Sequence, residues 1–319
     1  MTLTRRLILA AAAALILPGQ SFAEDAPLKI VATTGMIADT AMRVGGDAVD
    51  VQALMGPGVD PHAYRQTRTD IVAMGQADLV LWNGLYLEAQ MEDVLADIAS
   101  RTPVVAVAEA VSEDRRVAHD DYDDRFDPHV WMDPALWETV TLAVRDAMIE
   151  VSPENEAVFV ENADDFLAEV TALADYSDRV LSSVPEPARV LITAHDAFNY
   201  FGEAYGFEVI GIQGISTESE AGLNRMTELV DMLVDRGIAS VFVESSVSDR
   251  SVRALIEGAA ARGHDVRVGG ELFSDAMGAP GTYEGTYIGM IDHNVTTISS
   301  GLGGVAPERG MNGRLSAGS

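Results

Sequence analysis

The chain has 319 residues, 48% of them hydrophobic, a formal net charge of −29 and no cysteine. So acidic a surface repels nucleic acid and anionic membranes, which excludes nucleic acid as a partner. A chain without cysteine forms no disulfide and offers no thiolate to a metal.

The first segment has the pattern of a secretory signal peptide. Arg5 and Arg6 precede an apolar run from Leu7 to Leu17, and Ser21-Phe22-Ala23 is a small-x-small cleavage pattern. The run is far shorter than the ~20 residues of a membrane span, which disfavours a membrane anchor. We predict a periplasmic protein that is secreted through this cleaved signal peptide and is not lipidated at a cysteine. The remaining 19 basic and 50 acidic residues give a net charge of about −31.

Strand and helix patterns alternate over the next hundred or so residues. Short β-rich runs occur in LKIVATT, VDVQALM, DLVLWNG and TPVVAVAEA. Helical patterns follow the first two, in MIADTAMRVGG and RQTRTDIVAMGQA. This alternation predicts a parallel sheet covered by helices.

From Pro134 to about Ser183 the pattern becomes helical, with apolar residues at helical spacing and almost no strand signal. Ser152-Pro153 is typical of a helix start inside this stretch. The second half, roughly 30 residues, corresponds to a helix of ~45 Å. A helix of that length reaches along the whole of a two-lobed molecule.

Alternation then resumes, with strands predicted in ARVLITAHD, FEVIGIQG, ASVFVESS and HDVRVGGELF. Helices are predicted in NRMTELVDMLVDRG, RSVRALIEGAAARG and TYIGMIDHNVTTISSGL. The predicted fold class is therefore α/β, with two lobes that contain mostly parallel sheets. The predicted divisions are a signal peptide (1–23), an N-terminal α/β lobe (24–150), a linking helix (151–185), a C-terminal α/β lobe (186–303) and a flexible tail (304–319).

The tripeptide Asp-Pro-His occurs twice, as Asp60-Pro61-His62 and Asp127-Pro128-His129, although the chain has only 6 histidines. Each proline fixes its own backbone and biases the preceding aspartate to extended geometry, so each histidine follows a stiff loop. A ligand that is held in place loses less entropy on coordination, which favours both histidines as metal ligands. Each aspartate could then accept a hydrogen bond from the far ring nitrogen. The alternative is that Asp-Pro only begins a turn.

Two further candidate ligands follow predicted strands of the second lobe. His195 ends the run VLITAH, and Asp275 comes after the last predicted strand. Ligands collect at the carboxyl ends of strands in open α/β sheets, so both residues occupy positions where a site is expected. The alternatives are a helix-capping or core histidine and an ordinary loop aspartate.

Together these segments resemble the zinc- and manganese-binding periplasmic proteins of ABC transporters, the TroA-like or ZnuA-like family. The resemblance covers nearly the whole chain after the signal, and rests on TTGMIADTA, GPGVDPHAYRQT, DPHVWMDP, AHDAFNYF, GIQGISTESEAG, VFVESSVSDR and LFSDAMG. It implies two pseudo-symmetric lobes, a long rigid linking helix and a metal site between the lobes, the class III type of periplasmic metal-binding protein. It implies four ligands: His62 and His129 from the first lobe, and His195 and Asp275 from the second.

The resemblance further implies a periplasmic solute-binding protein that captures one divalent metal and delivers it to a cognate ABC permease in the inner membrane. Three imidazoles and one carboxylate favour Zn²⁺ over Mn²⁺. Manganese or dual binding is the alternative, because the family also contains manganese binders with three histidines and one aspartate. A metallochaperone is a second candidate partner, and we expect a monomer.

Two accessory residues complete the prediction. His119 lies in the acidic stretch EDRRVAHDDYDDRFDPH, and is a candidate transient ligand in a metal-gathering loop. The alternative for this stretch is a solvated acidic loop. Glu244 ends a predicted strand in VFVESS, where it could orient a ligand or tie loops together.

Catalysis is the main competing function. A catalytic zinc keeps an open position for water, whereas four protein ligands would close the site. HExxH, GxSxG and phosphate-binding glycine-loop motifs are missing from the chain. We therefore predict that the protein is not an enzyme, with a zinc-dependent hydrolase and a surface adhesin as alternatives.

Overall fold

The computed structural model describes residues 26–119 and 125–316. The predicted signal peptide and the acidic residues 120–124 lie outside this part of the chain. The strands are β1 (Leu28–Ala32), β2 (Val49–Ala53), β3 (Leu79–Trp82), β4 (Val104–Ala106), β5 (Val190–Thr193), β6 (Glu208–Gly211), β7 (Ser240–Glu244) and β8 (Arg267–Leu272). The α-helices are α1 (Gly35–Gly45), α2 (Arg68–Gln76), α3 (Glu92–Ala99), α4 (Pro134–Val151), α5 (Glu156–Leu181), α6 (Asn199–Tyr205), α7 (Leu223–Arg236), α8 (Arg250–Ala261) and α9 (Tyr287–Gly301).

The first lobe is built on a four-stranded sheet with the order β2-β1-β3-β4. All its strand pairs are parallel, with Ile30 opposite Leu79 and Val80 opposite Val104. In the two central strands, β1 and β3, the segments Ile30–Ala32 and Leu79–Leu81 are buried and apolar, as expected for a sheet covered on both faces. Helix α3, which the sequence analysis did not predict, supplies the connection from β3 to β4.

The second lobe contains two parallel strand pairs, β5–β6 and β7–β8. Strands β5 and β7 contact each other, so the two pairs lie side by side. Every strand pair in the described residues is parallel, which confirms the predicted α/β class with parallel sheets.

The helices α4, α5 and α9 form the connection between the lobes. Helix α5 has 26 residues and is therefore about 39 Å long. It packs against α1, α4 and α9, and its buried side chains recur every three or four residues along one face. A single apolar core runs from Ile30 in the first lobe through Phe166 on α5 to Leu191 and Tyr287 in the second. The lobes thus share one close-packed interior, which resists wide hinge motion. None of the helices in the described segments has the length and apolarity needed to cross a membrane.

The end of the chain differs from the flexible tail expected from its composition. In the described part of the tail, Leu315 is only 1% exposed and belongs to the shared core. The Met311 N–H donates to the carboxylate of Asp292 on α9, at 2.9 Å. Gly310 has φ 71°, and a Cβ there would lie 2.5 Å from the same carboxylate. Asp292 therefore holds the tail through main-chain groups, which residue composition does not reveal.

Trp137 provides a test of the shared core. Its ring stacks on Tyr287 of α9 at 5.0 Å between centroids, and its Nε1–H donates to Thr40 on α1 at 3.1 Å. We expect Trp137→Ala to lower the free energy of unfolding by about 3–5 kcal/mol, because it leaves a cavity between three helices. Denaturant unfolding of the metal-free protein measures this change. Val158→Ala, at a position that is 43% exposed, should stay within about 0.5 kcal/mol of the parent. A loss below about 1 kcal/mol for Trp137→Ala would contradict a core shared by both lobes.

Candidate metal centre

The four residues expected to bind a metal meet in one buried cluster between the lobes. One ligand atom from each of His62, His129, His195 and Asp275 lies within 4.8 Å of the others. The exposed fraction is 4% for His62, 2% for Asp275 and zero for the other two. The sequence analysis named this set, and the fold brings its members together.

Each of these four residues lies in a short segment that leaves or joins a regular element. His195 comes two positions after β5, and Asp275 comes three positions after β8. Both therefore lie at the carboxyl ends of parallel strands, where an open sheet leaves room for a ligand. His62 lies in the loop between β2 and α2, and His129 begins the turn that leads into α4.

The ring nitrogens and the carboxylate oxygens face one another across the cluster. The two Nε2 atoms of His62 and His129 are 3.3 Å apart. Asp275 places one oxygen 3.4 Å from His129 Nε2 and the other 3.3 Å from His195 Nε2. Within the described part of the chain, both Asp275 oxygens and His195 Nε2 are buried without a hydrogen-bond partner. Buried polar atoms are normally hydrogen-bonded, and buried charges are paired or coordinate metals, so a cation among these atoms fits the donor set.

Two of the three imidazoles are oriented by a carboxylate in the same manner. Asp127 Oδ1 accepts the main-chain N–H of His129 at 2.9 Å and lies 2.6 Å from its ring Nδ1. Glu244, at the end of β7, accepts the main-chain N–H of His195 at 2.9 Å and lies 2.5 Å from its Nδ1. Such contacts make Nδ1 the protonated nitrogen and turn Nε2 toward the site. These are the orienting contacts that the sequence analysis considered for Asp127 and for Glu244.

Asp60 contacts its histidine differently from the expectation. Its Oδ1 accepts the main-chain N–H of His62 at 2.9 Å, and its Oδ2 accepts the hydroxyl of Thr217 at 2.6 Å. A contact from Asp60 to the His62 ring is not among the hydrogen bonds of the described residues. Both copies of the tripeptide thus share the local hydrogen bond from the histidine main-chain N–H to the aspartate carboxylate two residues before it. Only Asp127 also contacts the ring of its histidine.

His119 lies apart from the cluster. It is 7% exposed, and its main-chain N–H donates to the Arg125 carbonyl at 2.9 Å. The metal-binding group found among the described residues does not include it. The neighbouring aspartates of the predicted metal-gathering loop fall in 120–124, outside the described residues, so that role stays a prediction.

The charges of the site favour two protonated imidazoles in the absence of a metal. Burial opposes the charged form of His129, but the carboxylates of Asp127 and Asp275 outweigh it and raise its pKa to about 9. Burial likewise opposes the charged form of His195, yet Asp275 and Glu244 raise its pKa well above the usual value. Burial alone would raise the pKa of Asp275, but both imidazoles hold it well below its usual range. The pKa of His62 falls to about 3, chiefly through burial.

Several side chains around the site were missed by the sequence analysis. Trp131 packs its ring edge-on to His129 at 5.1 Å between centroids, and its Nε1–H donates to the Ser274 carbonyl at 2.8 Å. Asn83 donates to the Pro128 carbonyl at 3.1 Å. Trp131 lies inside the segment DPHVWMDP, so this motif could have identified it as a residue near the site. Asn83 follows strand β3 and belongs to no motif that would have identified it.

Residues 30–301 match the family described as "ZnuA: Zinc-uptake complex component A periplasmic". The chain belongs to the ZnuA family. Within that family, the chain is similar to the following two relatives and one solved structure.

The manganese-binding lipoprotein MntA of Bacillus subtilis (strain 168) is 45% identical over 278 residues, which cover 87% of this chain and 90% of that protein. The zinc-binding protein TroA of Treponema pallidum (strain Nichols) is 44% identical over 280 residues, 88% of this chain and 90% of that protein. The solved structure of the periplasmic zinc binding protein TroA from Treponema pallidum superimposes with a TM-score of 0.85 at 43% identity, and covers 87% of this chain and 99% of that chain. These findings confirm the resemblance to the TroA-like or ZnuA-like family and its fold.

The predicted localisation requires a correction. We predicted a periplasmic protein that is not lipidated at a cysteine. The Bacillus subtilis relative is named a lipoprotein, and the same word recurs in the names of more distant ZnuA-family relatives. Such proteins are lipidated at a cysteine, which contradicts the prediction. The count of cysteines in the sequence is therefore not sufficient evidence for a localisation.

Glu244 offers a test of ligand orientation in this ZnuA-family site. We expect Glu244→Ala to weaken metal binding by about 10–100-fold, because His195 would lose the partner that fixes its tautomer. Competition with a calibrated chelator measures the dissociation constant. Glu228→Ala removes an exposed carboxylate from α7 and should leave binding unchanged. Equal affinities for the parent and Glu244→Ala would show that Glu244 does not orient the ligand.

Metal affinity should also depend on pH. With a pKa of about 9, the His129 ring is protonated at neutral pH, and His195 shares this property, so a metal must displace these protons. Apparent affinity should therefore fall as the pH falls from about 8 to about 6, by about tenfold per unit for each displaced proton. His62, with a pKa of about 3, is neutral throughout and contributes no slope. Chelator competition at three pH values, corrected for the protonation of the chelator, measures the slope. A flat profile would contradict the charge state assigned to the site.

Proposed function

We propose that the protein binds one divalent transition-metal ion between its lobes and delivers it to an ABC permease, with zinc favoured over manganese. The proposed ligands are His62, His129, His195 and Asp275. The observation that supports the proposal most strongly is the convergence of three imidazoles and one carboxylate in a buried site, where both carboxylate oxygens have no hydrogen-bond partner among the described residues. Membership in the ZnuA family supports the transport role.

Ligand chemistry is the reason to favour zinc. Imidazole nitrogen suits zinc, whereas manganese prefers carboxylate, carbonyl and water oxygen, and zinc stands above manganese in the general affinity order. The relatives support both metals, because MntA is named manganese-binding at 45% identity and TroA zinc-binding at 44%. Manganese or dual binding is therefore the second candidate, and the name of MntA favours it.

Delivery requires the metal to leave a site that water barely reaches. Two ligands come from the loops of the first lobe and two from the strand ends of the second. A small separation of these segments would move the two ligands of the first lobe away from the two ligands of the second. We propose that docking to the permease produces this separation, and the shared core limits the movement to the segments around the site.

Binding without catalysis is part of the proposal. Four protein ligands fill a tetrahedral zinc site and leave no position for a reacting water. The lack of enzymatic activity, the monomeric state and a loading metallochaperone remain predictions.

The test is a competition titration of the metal-stripped protein with zinc and with manganese against calibrated chelators, with the metal content counted in parallel. We expect one zinc ion per chain, manganese far weaker, and a loss of more than about 100-fold in zinc affinity for His195→Ala, more than the removal of an orienting partner costs. His264→Ala removes a histidine whose ring nitrogen contacts the Ile238 carbonyl at 2.7 Å, outside the cluster, and serves as the matched control.

Two other results would change the assignment. Comparable or preferential manganese binding would make the protein a manganese or dual-metal binder. No tight binding of either metal would discard the four-ligand site, and would reopen the hydrolase and adhesin alternatives.

A further inference from the structure

The aspartates of the two Asp-Pro-His segments share a feature that reaches across the lobes. Each uses Oδ1 to accept the main-chain N–H of its own histidine, at 2.9 Å in both cases. Each uses Oδ2 to accept a hydrogen bond from a side chain of the second lobe. The donors are the Thr217 hydroxyl to Asp60, at 2.6 Å, and the Asn199 amide to Asp127, at 3.0 Å.

The Asp127 contact is the more enclosed of the two. Asp127 is fully buried, so water does not compete for its oxygens. Asn199 is the first residue of α6 and follows the ligand His195 by four positions. The next residue, Tyr200, donates its hydroxyl to the main-chain carbonyl of Asp127 at 2.8 Å. One segment of the second lobe therefore carries one ligand and also holds the carboxylate that orients another.

The Asp60 contact comes from the loop between β6 and α7. Thr217 lies in this loop, and the adjacent Glu218 accepts a hydrogen bond from Gln90 of the first lobe at 2.7 Å. The loop is thus tied to the first lobe at two neighbouring positions. Among the described residues, Asp60 makes its hydrogen bond to the main-chain N–H of His62 and none to the ring, so Thr217 acts on the main-chain position of that histidine.

We infer that Asn199 and Thr217 are positioning residues of the metal site, which hold the two Asp-Pro-His carboxylates from the opposite lobe. Coordination by His62 and His129 then depends on the contact between the lobes, since separating the lobes removes a hydrogen bond from each orienting carboxylate. The inference rests on the proposed function, because it assumes that these histidines bind the metal. Its physical basis is preorganisation: a carboxylate fixed at both oxygens holds its histidine in one place before the metal arrives.

The first test is metal affinity. Asn199→Leu removes the amide, and Thr217→Val removes the hydroxyl, each with little change in size. We expect each to weaken zinc binding by about 10–100-fold in chelator competition. Thr217→Ser keeps the hydroxyl and should bind as the parent does.

The matched controls break similar hydrogen bonds far from the site. Asn162→Leu removes an amide that donates to the Val44 carbonyl at 3.0 Å, and Thr171→Val removes a hydroxyl that donates to Glu138 at 2.8 Å. Both should keep the parent affinity. Equal weakening in controls and test variants would indicate general destabilisation and overturn the inference.

The second test distinguishes positioning from a merely structural role. In the zinc-loaded protein, the ring Nδ1–H protons of His129 and His195 can be observed by NMR. Asn199→Leu should shift the His129 proton, which lies on Asp127, and leave the His195 proton, which lies on Glu244. Thr217→Val should move neither, because Asp60 contacts His62 through the main chain.

A double-mutant comparison completes the design. If Asn199 acts through Asp127, Asn199→Leu should cause no further loss of affinity in an Asp127→Ala background, whereas independent effects would add. Additive losses would overturn the inference for Asn199.

Two further outcomes separate this inference from the proposed function. If the parent protein binds no metal, the proposed function itself is rejected. If the parent binds zinc and the folded variants bind it with the same affinity, only this inference is rejected. Should Asn199→Leu fail to fold, Thr217→Val, with its serine counterpart, still decides the question.

Discussion

The carboxylate of Asp275 is the charge on which the arrangement between the lobes depends. It is buried, it faces the Nε2 atoms of His129 and His195 at 3.4 and 3.3 Å, and its oxygens have no hydrogen bond within the described residues. A buried anion of this kind is costly unless cations surround it. The metal-free protein supplies them as two protonated imidazoles, each backed by a further carboxylate. A divalent cation would replace those protons without a change in the surrounding charges.

This balance requires a scaffold that does not let water in. The apolar core that runs from β1 through α5 to α9 provides it, because the same close-packed interior supports both halves of the site. The ligand-bearing loops sit at the edge of this interior, where a few hydrogen bonds cross from one lobe to the other. The packed helices are thus the rigid part of the molecule, and any movement around the site occurs in the short segments that carry the candidate ligands.

Much of this architecture was predictable from the sequence, and the exceptions have physical reasons. Apolar β-rich runs such as LKIVATT identified every strand of the described residues, whereas α3 was missed because EDVLADIA has only eight residues, about two turns, which is too short for a helical period to be recognised. The four candidate ligands, His62, His129, His195 and Asp275, were named because they stand in motifs that resemble a known family, and the fold brings these residues together. The contacts of Asn199 and Thr217 were not predictable, since their partners lie 72 and 157 positions away. The tail was misread because Gly-rich composition suggests fraying, while its order comes from the main chain held by Asp292.

The shared core has a consequence for how the molecule is made. Its members include Tyr287 on α9 and Leu315 near the end of the chain, so the interior cannot close until almost the whole polypeptide is present. A chain that has emerged only as far as α8 already contains the three histidines of the site, yet it lacks Asp275 and helix α9. All four groups of the site are therefore present only after the chain has been made past Asp275, so the capacity to enclose an ion arises late in synthesis. A truncated or half-folded chain would expose its imidazoles as ordinary surface groups and would not retain a metal.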